Sequence, residues 1–195
     1  MPSALRVISL VAVTAALLLP TAAAASARCP GEEAAASAQS ETALEQSLLC
    51  LINARRAAAG VRAVSPNGRL RAAALGHSHD MVRSGYFSHT APGGVTFLDR
   101  ILDSGYVGGA RNWQVGENLV WGNGRLSSPA ELVSSWMRSP PHRENLLRGR
   151  FREIGIAAVR GTPVAAGDDG GITVTSEYGF RGKRGAKKQS RRARR

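Results

Sequence analysis

Apolar side chains recur every three or four residues in four stretches of the chain, each bounded by residues that start or stop helices. The first stretch is SETALEQSLLCLINARRAAAG (40–60). In it, Thr42 and Glu45 form a capping-box pattern, and Gly60 is a natural stop. On a helical wheel, Arg55 falls on the apolar side of this helix, which predicts that its side chain is paired inside the protein.

Three further helices follow by the same criteria. RLRAAALGHSHDMVRSG (69–85) and TFLDRILDSG (96–105) each end in glycine. SSPAELVSSWMRSPP (127–141) begins at Ser128, with a proline in its first turn. We expect Pro140 to end this helix, because the residue before a proline is pushed out of the helical conformation.

The strand-like segments lie late in the chain. NWQVGENLVWGNG (112–124) has no helical period and is bracketed by glycine. REIGIAAVRG (152–161) and GGITVTSEYGF (170–180) are separated by a connection rich in glycine and aspartate, which predicts an antiparallel pair. Because helices come first and no strand–helix–strand repeat occurs, the pattern predicts an α+β fold.

The first 27 residues have the features of a secretory signal peptide. Arg6 precedes an apolar run too short for a stable membrane span, and an A-x-A triplet ends at Ala27. We therefore expect cleavage after Ala27 and a secreted, extracellular protein. No later apolar stretch approaches membrane-spanning length, so the mature chain is expected to have no transmembrane segment.

Charge divides the mature chain into unequal parts. Of 26 Lys and Arg residues, nine lie in 181–195, which holds no acid, whereas 28–180 holds 16 basic and 14 acidic residues. We expect one domain (40–180) between a disordered leader (28–39) and a disordered basic tail (181–195). Such a tail favours anionic envelope polymers or acidic lipids over nucleic acid, and would associate the protein with the cell envelope. A solubilising tail without a partner remains the alternative.

Two cysteines remain after export, Cys29 and Cys50. Because the compartment is oxidising, we expect a disulfide between them. The alternative is a free Cys50 packed as a small apolar side chain at the flank of the first helix.

Four histidines are candidates for chemistry. His77 lies on an apolar helix stripe, as core histidines do, and His79 points about 200° away from it, so the pair is a poor metal motif. His89 lies in a glycine-bracketed loop, and His142 follows a proline break. Glu117 is an acid in an apolar segment and needs a partner. Spacing alone does not bring the last three residues together.

Three collinear segments resemble the motifs of a known superfamily. SHTAPGG (88–94), VGENLVWG (115–122) and WMRSPPHRENLL (136–147) are similar to those of the CAP superfamily, which includes sperm-coating, antigen-5 and plant pathogenesis-related proteins. The resemblance is strongest to its secreted bacterial branch and runs from about residue 48 to 180. It implies an α-β-α sandwich, with helices packed on a small antiparallel sheet and a central groove.

The resemblance also implies a set of groove residues. Many members line the groove with two histidines and two acids, and His89, Glu117 and His142 match three of these positions. Ser139 stands where the second acid is expected. A His–Glu–His set suits Zn²⁺ or another divalent metal with an open coordination position. The alternative that we favour is a polar groove cluster that does not catalyse a reaction.

These observations lead to an expectation for function. We expect a secreted CAP-domain protein whose groove binds a lipid, another small molecule or a metal, with no certain cofactor. The alternative is a divalent-metal-dependent, protease-like hydrolase acting outside the cell or in the envelope, with His89, Glu117 and His142 as catalytic candidates. The missing acid at Ser139 makes us favour binding over catalysis.

Overall fold

The computed structural model describes residues 28–164 and 170–182. The predicted signal peptide and the tail from residue 183 lie outside the described residues. No helix within the described ranges is long and apolar enough to cross a bilayer. The helices are α1 (Glu41–Ala58), α2 (Gly68–Ser84), α3 (Phe97–Asp103), α4 (Pro129–Arg138) and α5 (Pro140–Leu147), and the strands are β1 (Ser65–Pro66), β2 (Trp113–Gly122), β3 (Glu153–Arg160) and β4 (Ile172–Arg181).

The strands form one mixed sheet in the order β1-β3-β4-β2. β4 pairs antiparallel with both β2 and β3, which confirms the antiparallel pair predicted from the late strands. β1 pairs parallel with β3, so the expectation of a purely antiparallel sheet is wrong at this edge. A two-residue strand containing Pro66 is too short to produce an alternating pattern, so the sequence gives no sign of it.

Helices cover both faces of the sheet and confirm the α-β-α sandwich. One face packs against α1, α4 and α5, with Leu48, Trp136 and Val174 among the buried side chains. The other face packs against α2 and α3, where Leu70 contributes to a second, smaller core. α2 lies directly on β3, since a Cβ added at Gly155 would come within 2.1 Å of the α2 backbone.

The segment 28–39 is ordered, which corrects the expectation of a disordered leader. Cys29 is buried and forms a disulfide with Cys50, with Cα atoms 5.8 Å apart. The backbone N–H of Ala36 donates to the Ser127 hydroxyl at 2.9 Å. These ties compensate for the low hydrophobicity that made the segment look unstructured.

The start of α1 differs from its predicted capping box. Ser40, not Thr42, is the N-cap, and its hydroxyl accepts a hydrogen bond from the backbone N–H of Ala43 at 3.1 Å. Glu45 is used elsewhere, because its carboxylate accepts from Arg71 Nε at 2.8 Å. The carboxylate therefore ties α1 to α2.

The arginine buried at the end of α1 is Arg56, and the prediction for Arg55 is wrong. Arg55 is exposed, whereas Arg56 is fully buried and donates to the backbone carbonyls of Arg62 at 2.8 Å, Leu146 at 2.7 Å and Phe151 at 3.1 Å. Burial lowers the pKa of this guanidinium. Adjacent helical positions are 100° apart, and the real apolar face is centred nearer to Arg56.

The break after α4 falls where Pro140 predicts it. Ser139 has extended backbone (ψ 115°) and separates α4 from α5. A new helix then starts at once, with Pro140 and Pro141 in its first turn, where proline is well tolerated. His142 therefore lies in the first turn of α5 and not in a loop.

Candidate functional site

Glu117 lies in the middle of β2, and its side chain is only 1% exposed. Its Oε1 accepts a hydrogen bond from Nδ1 of His89 at 2.7 Å. Its Oε2 accepts one from the guanidinium of Arg100 at 2.7 Å. Both carboxylate oxygens are therefore engaged, one by a histidine that the sequence singled out and one by an arginine that it did not.

Arg100 of α3 fastens the loop between α2 and α3 to the sheet. Its guanidinium also donates to the backbone carbonyls of His89 at 3.0 Å and Val95 at 3.2 Å. The side chain is 11% exposed, so the clamp is shielded from solvent. Arg100 fixes the backbone of His89 relative to Glu117. The position of the imidazole therefore depends on α3, on β2 and on the loop that carries His89.

A second carboxyl group, Glu177, lies directly across from Glu117 in the β2–β4 register. It is fully buried, and neither of its oxygens has a hydrogen-bond partner of good geometry. Burial raises the pKa of Glu177 well above its usual value, and the negative charge of Glu117 raises it further. Both effects favour the protonated form of Glu177, as expected for two acids sharing one site.

The pKa of Glu117 moves in the opposite direction. Burial alone would raise it, but the hydrogen bond from His89, the adjacent Glu177 carboxyl group and the charge of Arg100 lower the pKa of Glu117 below its usual value. The floor of the site therefore holds the Glu117 carboxylate, the Glu177 carboxyl group with its raised pKa, and the Arg100 guanidinium. The ion pair with Arg100 offsets the negative charge of Glu117 beneath the imidazole.

His89 presents its ring to solvent above this floor. Its side chain is 51% exposed, and its Nδ1 is held by Glu117. Nε2 makes no hydrogen bond within the described part of the chain, so it remains available to a ligand. Glu117 thereby fixes the orientation of the ring, as a carboxylate partner commonly does for a functional histidine.

His142 reaches the site from the opposite layer of the sandwich. Its backbone carbonyl accepts a hydrogen bond from the Asn118 side chain at 2.9 Å, which ties the first turn of α5 to β2. Burial lowers the pKa of His142, and the charge of His89 lowers it further, so the His142 ring is neutral at neutral pH. The two imidazoles thus lie within electrostatic range of each other. Ser139, by contrast, makes no side-chain hydrogen bond within the described residues.

Side chains from α4 and α5 cover the outer edge of β2 beside the site. Asn145 donates to the Glu117 carbonyl at 3.1 Å, and the Trp136 indole donates to the Leu119 carbonyl at 2.9 Å. An uncovered edge would present these carbonyls to other chains. Sequence reasoning gave no role to Asn145, although an amide beside the His142 motif was a usable signal.

His77 lies beneath the same loop as a core histidine, in agreement with its apolar position on α2. It is buried, and its Nε2 contacts the Ser88 carbonyl at 2.9 Å. Burial lowers the pKa of His77. The nearby Tyr86 hydroxyl donates to Asp80 at 2.5 Å, so the start of the loop is held by its own contacts.

The predicted metal ligands do not fit a metal in this arrangement. Both oxygens of Glu117 are taken, one of them by the positive Arg100. Within residues 28–164 and 170–182, no group of three or more His, Cys, Asp or Glu side chains is placed to hold a metal ion. His89 and Glu117 are joined by a hydrogen bond, as they would be in a polar cluster.

Comparisons with known proteins agree with this architecture. The profile of the cysteine-rich secretory protein family, abbreviated CAP, matches residues 49–177. The chain is 31% identical over 120 residues to the uncharacterized protein YkwD of Bacillus subtilis, and the match covers 62% of this chain and 44% of YkwD.

Solved structures show the same fold. An extracellular protein containing a SCP domain from Bacillus anthracis aligns with a TM-score of 0.56 and 25% identity, covering 71% of this chain and 40% of that one. An outer surface protein from Borrelia burgdorferi aligns with a TM-score of 0.56 and 20% identity, covering 69% of this chain and 90% of that one. The matched part thus spans less than half the length of YkwD and of the Bacillus anthracis protein.

Proposed function

The chain belongs to the cysteine-rich secretory protein (CAP) family, and from that premise we propose that it is an extracellular binding module for a small amphiphilic molecule. The polar head of the ligand is held by His89 and His142, and the ligand is released unchanged. The basic tail keeps the module near anionic polymers or lipids of the envelope. The observation that carries the proposal is the half-exposed His89 ring, fixed from below by a buried Glu117.

The chemistry of this ring suits binding. With Nδ1 held by Glu117, Nε2 accepts a hydrogen bond from a hydroxyl group when the ring is neutral and donates one when it is charged. A ring whose orientation is already fixed loses little conformational entropy when a ligand binds.

The apolar part of the ligand has a surface in the same loop. Phe87 is 41% exposed and Val95 is 44% exposed, and both belong to the loop that carries His89. Arg100 holds the Val95 and His89 carbonyls on one guanidinium, so these two residues stay close together. An amphiphilic ligand would then place its polar head at His89 and its alkyl chain on the exposed Phe87 and Val95 side chains.

The site offers less for hydrolysis. The Ser88 hydroxyl accepts a hydrogen bond from the Thr90 backbone and makes no hydrogen bond to an imidazole within the described residues. Glu117 is bound on both oxygens, which leaves it poorly placed to take a proton from water. These contacts support binding over the hydrolase alternative.

The proposal is tested by NMR titration of the histidine ring signals with octyl glucoside, with glucose as a probe that lacks the alkyl chain. Octyl glucoside below its micelle concentration should shift the His89 and His142 signals saturably, and glucose should not. His89→Ala should abolish the shift at His142. His79→Ala, which removes an exposed histidine on α2, should leave it unchanged. Equal shifts with both probes, no shift with either, or equal loss in both variants would contradict the proposal.

A further inference from the structure

A cleft rich in arginine lies at the other end of β2 from the connection to α4. It has a volume of about 660 Å³ and is bordered by β1, the start of β3, the end of β4 and the α3–β2 loop. We call it the arginine cleft, because Arg62, Arg152 and Arg181 line it. None of its lining residues belongs to the groove of His89 and Glu117.

The only acid that lines the arginine cleft is already saturated. The Glu153 carboxylate is held bidentately by Arg181, at 2.8 and 3.1 Å. It also accepts hydrogen bonds from the Tyr106 hydroxyl at 2.8 Å and from the Asn67 amide at 2.7 Å. Glu153 and Arg181 therefore form a neutral pair in the wall, and Glu153 has no capacity left to balance another cation.

Two lining arginines keep their positive charge without an acidic partner. The Arg62 side chain makes no hydrogen bond or ion pair within the described ranges, and Arg152 donates only to the backbone carbonyls of Gly149 and Phe151. Behind them lies Arg56, which is bound to carbonyls and to no carboxylate. The guanidinium groups of Arg56, Arg62 and Arg152 therefore lie at or behind the cleft without a carboxylate partner among the described residues.

We propose that the arginine cleft binds the phosphate groups of a linear polyanion. A guanidinium group can donate two parallel hydrogen bonds to the oxygens of one phosphate. A bound anion would also reduce the electrostatic repulsion among arginines that have no acidic partner in the described part of the chain. Gly182 lines the cleft, and the sequence continues from it as KRGAKKQSRRARR (183–195), with eight basic residues and no acid. A polymer seated in the cleft would thus lie beside the point at which this basic segment begins, and contacts with both would raise its effective affinity.

The lining favours a polymer over a lipid bilayer. Seven large apolar side chains are exposed in the described part of the chain, and none of them lines the cleft. The aromatic side chain that does line it, Phe180, is covered by the guanidinium of Arg150 at 4.6 Å from the ring centre. Docking on a bilayer generally inserts apolar or aromatic groups, which this surface does not offer.

The experiment measures the affinity of the full-length secreted protein for long-chain inorganic polyphosphate as a function of salt concentration. The double variant Arg62→Gln/Arg152→Gln should weaken binding by about tenfold or more and lower the slope of log affinity against log salt by about two. The matched control is Arg125→Gln/Arg138→Gln, which removes the same charge. Arg125 follows the far end of β2, about 30 Å along the strand from the cleft.

Three further binding measurements distinguish the proposal from its alternatives. Equal weakening in both double variants would overturn it in favour of diffuse attraction. Orthophosphate binding as tightly as the polymer would overturn the polymer assignment, and tighter, cleft-dependent binding to vesicles of phosphatidylglycerol would replace it with a membrane site. If the double variant unfolds, the single variant Arg62→Gln is measured instead, because only the backbone carbonyl of Arg62 makes a hydrogen bond within the described residues. Unchanged polyphosphate affinity and salt slope in this single variant would overturn the proposal.

Discussion

Glu117 and Glu177 occupy one buried site with Arg100 as their shared cation. A carboxylate in an apolar segment needs a partner, and this reasoning singled out Glu117 from the sequence. The same reasoning applies to Glu177, which interrupts the apolar strand GGITVTSEYGF. What the sequence could not supply is the register that places the two side chains opposite each other on the same face of the sheet.

The first prediction concerns the proton that Glu177 holds. The unfolded chain releases it near pH 4.3, whereas the folded protein retains it because its pKa is raised, so stability falls as pH rises between these two values. The fall is about 1.4 kcal/mol per pH unit. Glu177→Gln removes this dependence, so the variant should gain stability relative to the wild type as the pH rises above about 5. Urea unfolding at a series of pH values measures it.

Glu144→Gln is the matched control for that experiment. Glu144 is 69% exposed and pairs only with Arg148 one helical turn away, so its pH profile should follow that of the wild type. Parallel profiles for Glu177→Gln and the wild type would refute the raised pKa of Glu177. The stabilisation from Glu117 belongs to a different window, because its lowered pKa means that this contribution is lost only at acid pH.

At the scale of elements, the side chains that connect helices to strands donate mainly to backbone carbonyls. Arg56 connects the end of α1 with the end of α5 and the start of β3 through carbonyl oxygens alone. Asn145 and Trp136 join α5 and α4 to the edge of β2 in the same way. Carbonyls have no sequence signature, which is why these connections were not predicted.

Arg56→Ala should lower the free energy of unfolding by about 3 kcal/mol or more, because it leaves several buried carbonyls without donors. Arg55→Ala, one residue earlier on the exposed side of α1, should change it by less than about 0.5 kcal/mol. Chemical denaturation of both variants measures the difference. Similar losses in the two variants would mean that helix propensity, and not the carbonyl contacts, explains the effect.

At the scale of the whole molecule, the disulfide decides where the folded domain begins. Cys29 and Cys50 are 21 residues apart, and their bond holds the segment 28–39 against α1. A segment of this composition would not bury enough apolar surface to fold without such a tie.

Replacing both cysteines by serine should lower the free energy of unfolding by about 3 kcal/mol, the value expected for closing a loop of this length. Amide hydrogen exchange should rise most in residues 28–39, whereas β3 and β4 should show only the increase that the lower global stability produces. Reducing agent should have the same effect on the wild type and none on the variant. Unchanged protection of 28–39 in the variant would show that the hydrogen bonds of Ala36 and its neighbours suffice.

Some residues of the candidate site were predicted from the sequence and others were not. The sequence, with its resemblance to one family, singled out His89, Glu117 and His142, because each lies in a recognisable motif. It did not identify Arg100 or Glu177, whose roles depend on which face of α3 and β4 they occupy. Ser139 stays a predicted groove residue without a contact that explains it.

The sequence by itself determined the class of the fold, the four amphipathic helices, the late antiparallel strands and the break at Pro140, because these depend on periodicity and on proline and glycine a few residues apart. The tertiary structure alone decided the raised pKa of Glu177 beside Glu117, the hydrogen bonds from Arg100 to the His89 loop, the order of residues 28–39 and the lack of acidic partners, among the described residues, for two arginines of the arginine cleft. Each of these joins residues distant in sequence, and their energies arise from burial and from distances of about 3 Å that only the folded chain sets.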